Sequence, residues 1–417
     1  MIIGIDDTDS KNGGCTTYLG ALLKNKLEGQ LGKPLTPRLI RLNPTIKYKT
    51  RGNASIGLKI NGDYDVIDVV KDHIKKMAHF HDDNTNPGAV ILKSDYPPRD
   101  IKRFSTDAMN STLSIRRAMQ LIERHDLDFL KFKNGRGLIG ALAAIGADLS
   151  SDHTYELIAY RYADNLGTER YVNINSVFRS DLMTYPFTWD TVDRSRNRVV
   201  FSPHSPDPVL YGIRGDNPTK ILAAQSFLIS EPFEHLIIYE TNQATDMHLR
   251  RTRIKDMMDR GSYCVFGAVD KEPWTIKGGH TFLSIKDDES LLCAAFEPTR
   301  VFREVIRKLR LGDKVCVYGS YLKGCLNLEK LYVVDLADVY VRTNPTCCGK
   351  STKSMGKTQG FRCEKCGNII DKSHVHFFKS KRKLRLGFYE ASPSARRHLS
   401  KPIIRLRGKG YNLFPSR

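Results

Sequence analysis

Three observations predict a multidomain chain, α/β in its first part and β-rich after it. From Ile2 to about residue 255, short apolar strands alternate with glycine turns and amphipathic helices; Ser262 to Val341 holds short strands punctuated by glycine; and Asn344 to Asp371 gathers four of the nine cysteines. At 417 residues the chain can form three or four domains whose cores need no disulfide staples. Its 66 Lys and Arg against 46 Asp and Glu leave a net charge of +20, which points to a polyanionic partner, nucleic acid before membrane surface. No apolar run reaches the roughly 18 residues of a membrane span, and no basic segment precedes an apolar one at the start, so a soluble cytoplasmic protein is expected. Cys15, Cys264, Cys293, Cys316 and Cys325 are scattered singly, as reduced thiols of a cytosol would be.

Chemistry is expected to begin in the first twenty residues. Ile2, Ile3 and Ile5 suit a buried strand, and Asp6, Asp7 and Asp9 follow at its carboxyl end, where open α/β sheets place ligands. Carboxylates packed this closely repel one another unless a cation intervenes, and hard oxygen donors suit Mg²⁺ bridging protein to nucleotide phosphate. Gly13 and Gly14 allow a tight turn, and Thr16 and Thr17 open a helix whose free N–H groups favour an anion. A Mg·ATP site is the reading. Two rivals stand beside it: a solvated turn with a threonine helix cap, and an aspartyl-phosphate phosphotransferase of the haloacid-dehalogenase type, which Asp7 and Asp9 fit but Lys11 does not.

Further along, Lys47, Lys49 and Arg51 alternate on what reads as a hairpin strand turned by Gly52-Asn53, facing one way. Tyr64 to His81 has the spacing of a packed amphipathic helix, and His79 and His81 need no metal there. A strand, Ala89 to Lys93, and one long helix, Asp107 to His125, are expected next, with Asp107 a candidate partner for a substrate cation. Phe132 to Leu149 is a glycine turn into a small-residue helix, a phosphate cradle in principle; neither Gly349 nor Gly356 opens a P-loop, for want of the upstream glycine and strand. Thr154–Tyr162, Glu169–Ile174, Val209–Arg214 and His235–Thr241 read as strands. Gly212 and Gly215 form a second glycine-rich strand-to-helix turn, with Pro218 at a first helical position. The β-α-β alternation suits a ferredoxin-like domain.

Five short strands with one helix, Arg300 to Leu309, before a Gly-Asp turn carry the signature of an oligonucleotide-binding barrel. Phe266, Trp274, Phe282 and Phe296 are available to stack bases beside Lys271, Lys277 and Lys286. Cys363 and Cys366 make a zinc knuckle, but Cys347 and Cys348 are adjacent. Either both bend to one site, or His374 or His376 replaces one of them. Residues 373–417 hold 12 Lys and Arg and one acidic residue, interleaved with aromatics, which reads as a basic RNA grip.

GIDDTDS (Gly4–Ser10) followed by CTTYL (Cys15–Leu19) resembles the opening of the archaeal tRNA(Ile) 2-agmatinylcytidine synthetases. The similarity continues through KTRGN (Lys49–Asn53), NGRGLIGA (Asn134–Ala141) and KSMGKTQGFRC (Lys353–Cys363). It spans four modules in family order, a kinase-like ATP-dependent catalytic domain over 1–133, a ferredoxin-like domain over 134–255, an OB-fold over 260–343 and a zinc ribbon over 344–372, followed by the basic tRNA-binding tail over 373–417 that the charge suggests. It further implies that Asp6, Asp7 and Asp9 hold the metal of ATP and that Thr16 becomes phosphorylated. Lys49, Arg51, Asn53, Asn134, Gly135, Arg136 and Gly137 are then candidates for the nucleotide site, with Gly212 and Gly215 closing over ATP or the amine. Cys347, Cys348, Cys363 and Cys366 are the candidate zinc ligands. The implied activity is an ATP-dependent C–N ligase that phosphorylates the 2-oxo group of the wobble cytidine in the CAU anticodon of tRNA(Ile) and lets agmatine displace phosphate, with ATP, Mg²⁺ and Zn²⁺ as cofactors. The competing class is a non-catalytic tRNA-binding protein, in which three mutually repelling carboxylates beside a glycine turn would have no purpose.

Overall fold

The computed structural model describes residues 1–50, 52–356 and 359–417; Arg51, and the side chains of His374 and His376, lie outside what is described. The first body is one nine-stranded sheet with helices on both faces. In chain order it comprises β1 (Ile2–Asp6), α1 (Thr16–Leu31), β2 (Thr36–Arg41), β3 (Ala54–Lys59), α2 (Ile67–Met77), β4 (Gly88–Leu92), α3 (Arg99–Asn110), α4 (Ile115–Arg124), β5 (Asp128–Lys131) and α5 (Gly137–Gly146). There follow β6 (Thr154–Arg161), α6 (Ile174–Thr184), β7 (Thr188–Trp189), the small ribbon β8 (Val192–Asp193) and β9 (Arg198–Val199), β10 (Val209–Gly215), α7 (Pro218–Ser226) and β11 (Phe233–Thr241). The strand order is β5-β4-β1-β3-β2-β11-β6-β10-β7, antiparallel except where β2 meets β11.

The alternation of β1 sets its layers. Ile3 and Ile5 pack with Leu19, Leu23 and Leu27 of α1 and Val70 and Ile74 of α2, while Ile2 joins Phe104, Leu142 and Ile145 on the other side. Each fully buried aliphatic side chain contributes roughly 1.5–3 kcal/mol, so these clusters fix β1, and with it the carboxylates at its end. Because the sheet is largely antiparallel, the rule for parallel α/β sheets that motivated the site does not apply to it. The site is at the end of β1 for another reason, the approach of α5.

Several expectations are corrected. The single helix expected over Asp107–His125 is two, since Ser114 caps α4 by accepting from the Arg117 N–H (3.2 Å), as serines at helix starts do. Glu169–Ile174 is not a strand: Val172 makes one bridge to Ser230, and Asn173 caps α6. Separately, packing is continuous through residues 133 and 134. Helix α5 packs on β1, β3 and β4, and the sheet runs on from β2 into β11.

After β12 (Arg250–Arg251) the chain forms β13 (Ser262–Thr275), β14 (Thr281–Lys286), β15 (Ser290–Ala295), α8 (Val301–Arg307), β16 (Lys314–Leu322) and β17 (Cys325–Asp335). β13 pairs β14, β14 pairs β15, β15 pairs β17, and β16 pairs both β17 and β13, so the five strands close into a barrel. Phe266, Trp274 and Phe296 remain exposed on it, and Trp274 stacks on Phe282 with centroids 5.7 Å apart.

The last segment is not a free basic tail. Strand Gly387–Glu390 joins β17 of the barrel, and the chain then returns across the first body. Among the described residues, eight of its twelve cations are ion-paired: Lys379, Arg382, Arg396, Arg397, Lys401, Arg405, Arg407 and Arg417. Arg396, 3% exposed, lies between Asp190 and Glu390 (2.8 Å), and Arg405 spans Asp152 (2.8 Å) and Asp216 (2.7 Å). Most of the basic residues here meet the protein's own carboxylates. Among the described residues no helix is long and apolar enough to cross a membrane.

Candidate catalytic cleft and metal centre

A cleft of about 630 Å³ is lined from both ends of the large sheet's strand order. Asp6, Asp7 and Asp9 line it, with Thr16 and Thr17. Glu156 of β6, Gly212 and Arg214 of β10, and His398 of the C-terminal segment line it too.

The carboxylates are placed by α5. A Cβ on Gly140 would fall 1.8 Å from Asp6 Oδ2, so only glycine lets the helix come this close. Asp7 adopts φ 61°, which turns the chain and swings its carboxylate to Arg136, whose Nε and Nη2 donate to it at 3.0 and 3.2 Å. The Asn86 N–H also donates to Asp7 (3.3 Å). Burial raises the Asp6 carboxyl well above the usual range, and the neighbouring Asp7 adds to this. Burial likewise lifts Asp7 to about 6, against the opposing pull of Arg136. Two buried carboxyls that ionise reluctantly, with Asp9 also lining the open cleft, fit a divalent cation; its charge would restore both to carboxylates.

Thr16 is the first residue of α1 but not its cap, which is Cys15 with no side-chain cap bond. Thr16 Oγ1 instead accepts from Thr8 Oγ1 (3.1 Å). The Thr17 carbonyl accepts from the buried Tyr239 hydroxyl (2.7 Å), which is itself in contact with Tyr160 (3.1 Å). The start of α1 is thus pinned to β11 and β6, with Thr16 and Thr17 at the cleft.

The other candidates divide. Lys49 and Asn53 line the cleft; Lys49 Nζ donates to the Pro44 carbonyl, and Asn53 Nδ2 to that of Asn43 (3.0 Å). Arg51 lies outside the described residues. Arg136 lines the cleft, whereas Asn134 accepts from the Arg136 N–H (2.8 Å), and Gly135, at φ 77°, makes the turn; Gly137 packs against Gly88 and the Asp6 carbonyl. Gly212 faces the cleft, but Gly215 is buried against Phe187 and Ile221, so it supports packing. Asp107 is not a ligand for a substrate cation, because Arg117 (2.7 Å) and Arg250 (2.8 Å) already hold it.

Arg41, Tyr48, Glu156, Asp207 and His398 are among the cleft residues that escaped the sequence reading. Glu156, 3% exposed, accepts from Arg214 Nε (2.9 Å) and from Gln243, and Arg41 stands 3.8 Å away. Burial opposes its charge, but Arg214 and Arg41 outweigh that and hold the carboxyl below its usual range. The one sequence signal was an acidic residue in the otherwise apolar strand TYELIAYR.

In the ribbon, the Sγ atoms of Cys347, Cys348, Cys363 and Cys366 all lie within 4.8 Å of one another. Cys347 Sγ is 3.6 Å from Cys366 Sγ and 3.9 Å from Cys348 Sγ, near the ~3.8 Å edge of a tetrahedral zinc–thiolate site. All four Sγ atoms are thus near enough to share one ion, with Cys348 turned towards the others at φ 50°. Amides of Cys366 and Lys365 lower the Cys363 thiol to about 7, favouring the thiolate that binds metal.

Comparison with known proteins matches this arrangement to one family. Residues 2–65 match the TiaS TCKD domain, 135–248 the TiaS FLD domain, and 344–384 the TiaS C-terminal zinc ribbon domain. The tRNA(Ile2) 2-agmatinylcytidine synthetase TiaS of Methanosarcina mazei is 47% identical over 430 aligned positions that cover all of both chains, and that of Archaeoglobus fulgidus is 46% identical over 99% of each. A crystal structure of a TiaS–tRNA(Ile2)–ATP complex superposes with a TM-score of 0.90 at 45% identity, covering 99% of both chains. A TiaS–tRNA(Ile2)–AMPCPP–agmatine complex gives 0.88 at 43% identity, with the same coverage. Since the likeness runs from the aspartates of β1 through the ribbon to the returning C-terminal segment, the chain belongs to the tRNA(Ile2) 2-agmatinylcytidine synthetase family.

Proposed function

We propose that this chain is an ATP-dependent ligase that joins agmatine to the wobble cytidine of the CAU anticodon of tRNA(Ile2), in the cytoplasm. The observation that carries the reading is the meeting, in one cleft, of Asp6, Asp7 and Asp9 with Thr16 at the opening of α1. That pairing suits phosphoryl transfer, where positioning and charge stabilisation do most of the catalytic work. Asp6, Asp7 and Asp9 would hold Mg²⁺, which would neutralise phosphate charge as the phosphoryl group moves. The free N–H groups of α1 orient phosphate, Arg136 keeps Asp7 in place, and Thr16 is the expected phosphoryl acceptor. Cytosine O2 takes the γ-phosphoryl group of ATP as its bond to the rest of the nucleotide breaks, the primary amine of agmatine attacks C2, and the C2–O bond breaks as phosphate leaves with the electrons. The amine loses a proton. The base must leave its stack to reach the aspartates.

Within this reading the first body supplies kinase-like and ferredoxin-like modules, and the closed five-stranded barrel acts as an OB-fold that stacks anticodon bases on Phe266 and Trp274. The ribbon holds zinc on four thiolates. Labelled agmatine incubated with a tRNA(Ile2) transcript should enter the RNA only when ATP is present. A transcript that stays unlabelled with active nucleotide and metal would remove the reading.

A further inference from the structure

Away from Asp6, Asp7 and Asp9, the cleft lining has a surplus of positive charge. Arg41, Arg214 and Lys49 stand there against Glu156, shared by the two arginines, and Asp207, which Arg170 already pairs. His398 joins them from a segment nearly 200 positions away in sequence, Arg214 Nη2 lying 2.8 Å from its Nδ1. A guanidinium has no acceptor, so Nδ1 must be the acceptor and the proton of the neutral ring is on Nε2. The Nε2 edge turns to Gly52, itself part of the cleft, lying 3.5 Å from where a Cβ on that glycine would be. Among the described residues no protein acceptor meets Nε2.

The ring is also held from behind. The Ala244 N–H donates to the His398 carbonyl (2.8 Å) and the Asp246 N–H to that of Leu399 (2.9 Å); both donors adopt left-handed backbone, at φ 56° and 66°. Arg396 and Arg405 lock the segment on either side through buried or part-buried carboxylates. A side chain this firmly carried, more than a third open and facing a cation-rich wall, is placed to meet a ligand rather than to fill a core.

We propose that His398 is a substrate-binding residue, its Nε2–H donating to a phosphate oxygen that Arg41, Arg214 and Lys49 attract to this wall. The phosphate belongs either to the nucleotide or to the RNA backbone beside the reacting cytidine, and the inference rests on the ligase reading for both. His398→Asn keeps an acceptor near the Nδ1 position for Arg214 but removes the cleft-facing donor; His398→Gln keeps a donor near Nε2 and loses the acceptor for Arg214. Binding to the full-length protein is measured for a non-hydrolysable ATP analogue without tRNA, and for a tRNA(Ile2) transcript without nucleotide. The Asn variant should bind one of the two roughly 10- to 100-fold more weakly, the affected ligand naming the phosphate, while Gln stays within a few-fold of the parent. Asn binding both ligands normally, or no more weakly than Gln, overturns the proposal and leaves His398 as a support for Arg214. If the unaltered protein binds neither ligand, the ligase reading itself fails, a result distinct from failure of the His398 contact.

Discussion

Replacing Asp7 by Asn should stabilise the metal-free protein at neutral pH while abolishing ATP turnover. The folded-state carboxyl of Asp7 sits at about 6 against an ordinary value of 3.8, because burial penalises its charge more than Arg136 rewards it. The side chain is only 10% exposed, so solvent screens this little. The folded state holds the proton more tightly between these values. The stability contributed by the neutral form is full below about pH 4 and is lost as pH rises through 6. The difference of 6 − 3.8 = 2.2 units, at about 1.4 kcal/mol each, makes ionised Asp7 a burden of about 3 kcal/mol at pH 7.5. Asparagine removes that burden with little change in shape. Calorimetry in EDTA should show the transition of the first body raised by several degrees at pH 7.5 and unchanged near pH 4. With Mg²⁺ and ATP the order should reverse, since only the parent gains binding stabilisation. An Asp7→Asn protein that is less stable at pH 7.5 without metal would refute the argument, by showing that Arg136 more than compensates the buried charge.

Thr16→Ala should lose autophosphorylation, read by mass spectrometry, yet change stability by less than the ~1 kcal/mol of a lost cap, because Thr16 caps nothing. Gly140→Ala should abolish turnover while tRNA affinity stays within a few-fold, since the new methyl must displace the Asp6 carboxylate. Metal analysis should find one zinc per chain, with Cys347→Ser and Cys348→Ser each reducing occupancy, whereas loss in only one of them would mean a three-thiolate site. Truncation after Asp371 should remove ATP binding along with tRNA binding and lower the unfolding temperature, because it strips β17 of its neighbour and leaves Asp190 and Asp152 without Arg396 and Arg405. Losing one member of a buried pair costs about 3–5 kcal/mol.

What the sequence disclosed was local. The strand Ile2–Asp6, the helix beginning at Thr16, the barrel strands and the knuckle at Cys363 each announce themselves within a dozen residues by period, glycine or spacing. The break between α3 and α4 was hidden because Asp107 to His125 keeps a helical composition throughout, and only the capping hydroxyl of Ser114 interrupts it. The continuity of the sheet could not be read either. It depends on β2 and β11, about 200 positions apart, meeting in parallel at Arg38 and Glu240, and no periodicity encodes a partner.

The same limit explains the C-terminal segment and changes what its charge means. A run of cations looks alike whether phosphates or carboxylates will face it, and composition carries no record of which. Here the partners Asp152, Asp181, Asp190, Asp216 and Glu329 lie dispersed over the two bodies that the segment crosses. The pairs to Asp152, Asp181, Asp190 and Asp216 tie the segment to the first body, the pair to Glu329 ties it to the barrel, and together they deliver His398 to the cleft. A segment whose composition suggests a grip on the substrate also acts, in structure, as a clasp between the barrel and the sheet that bears the cleft.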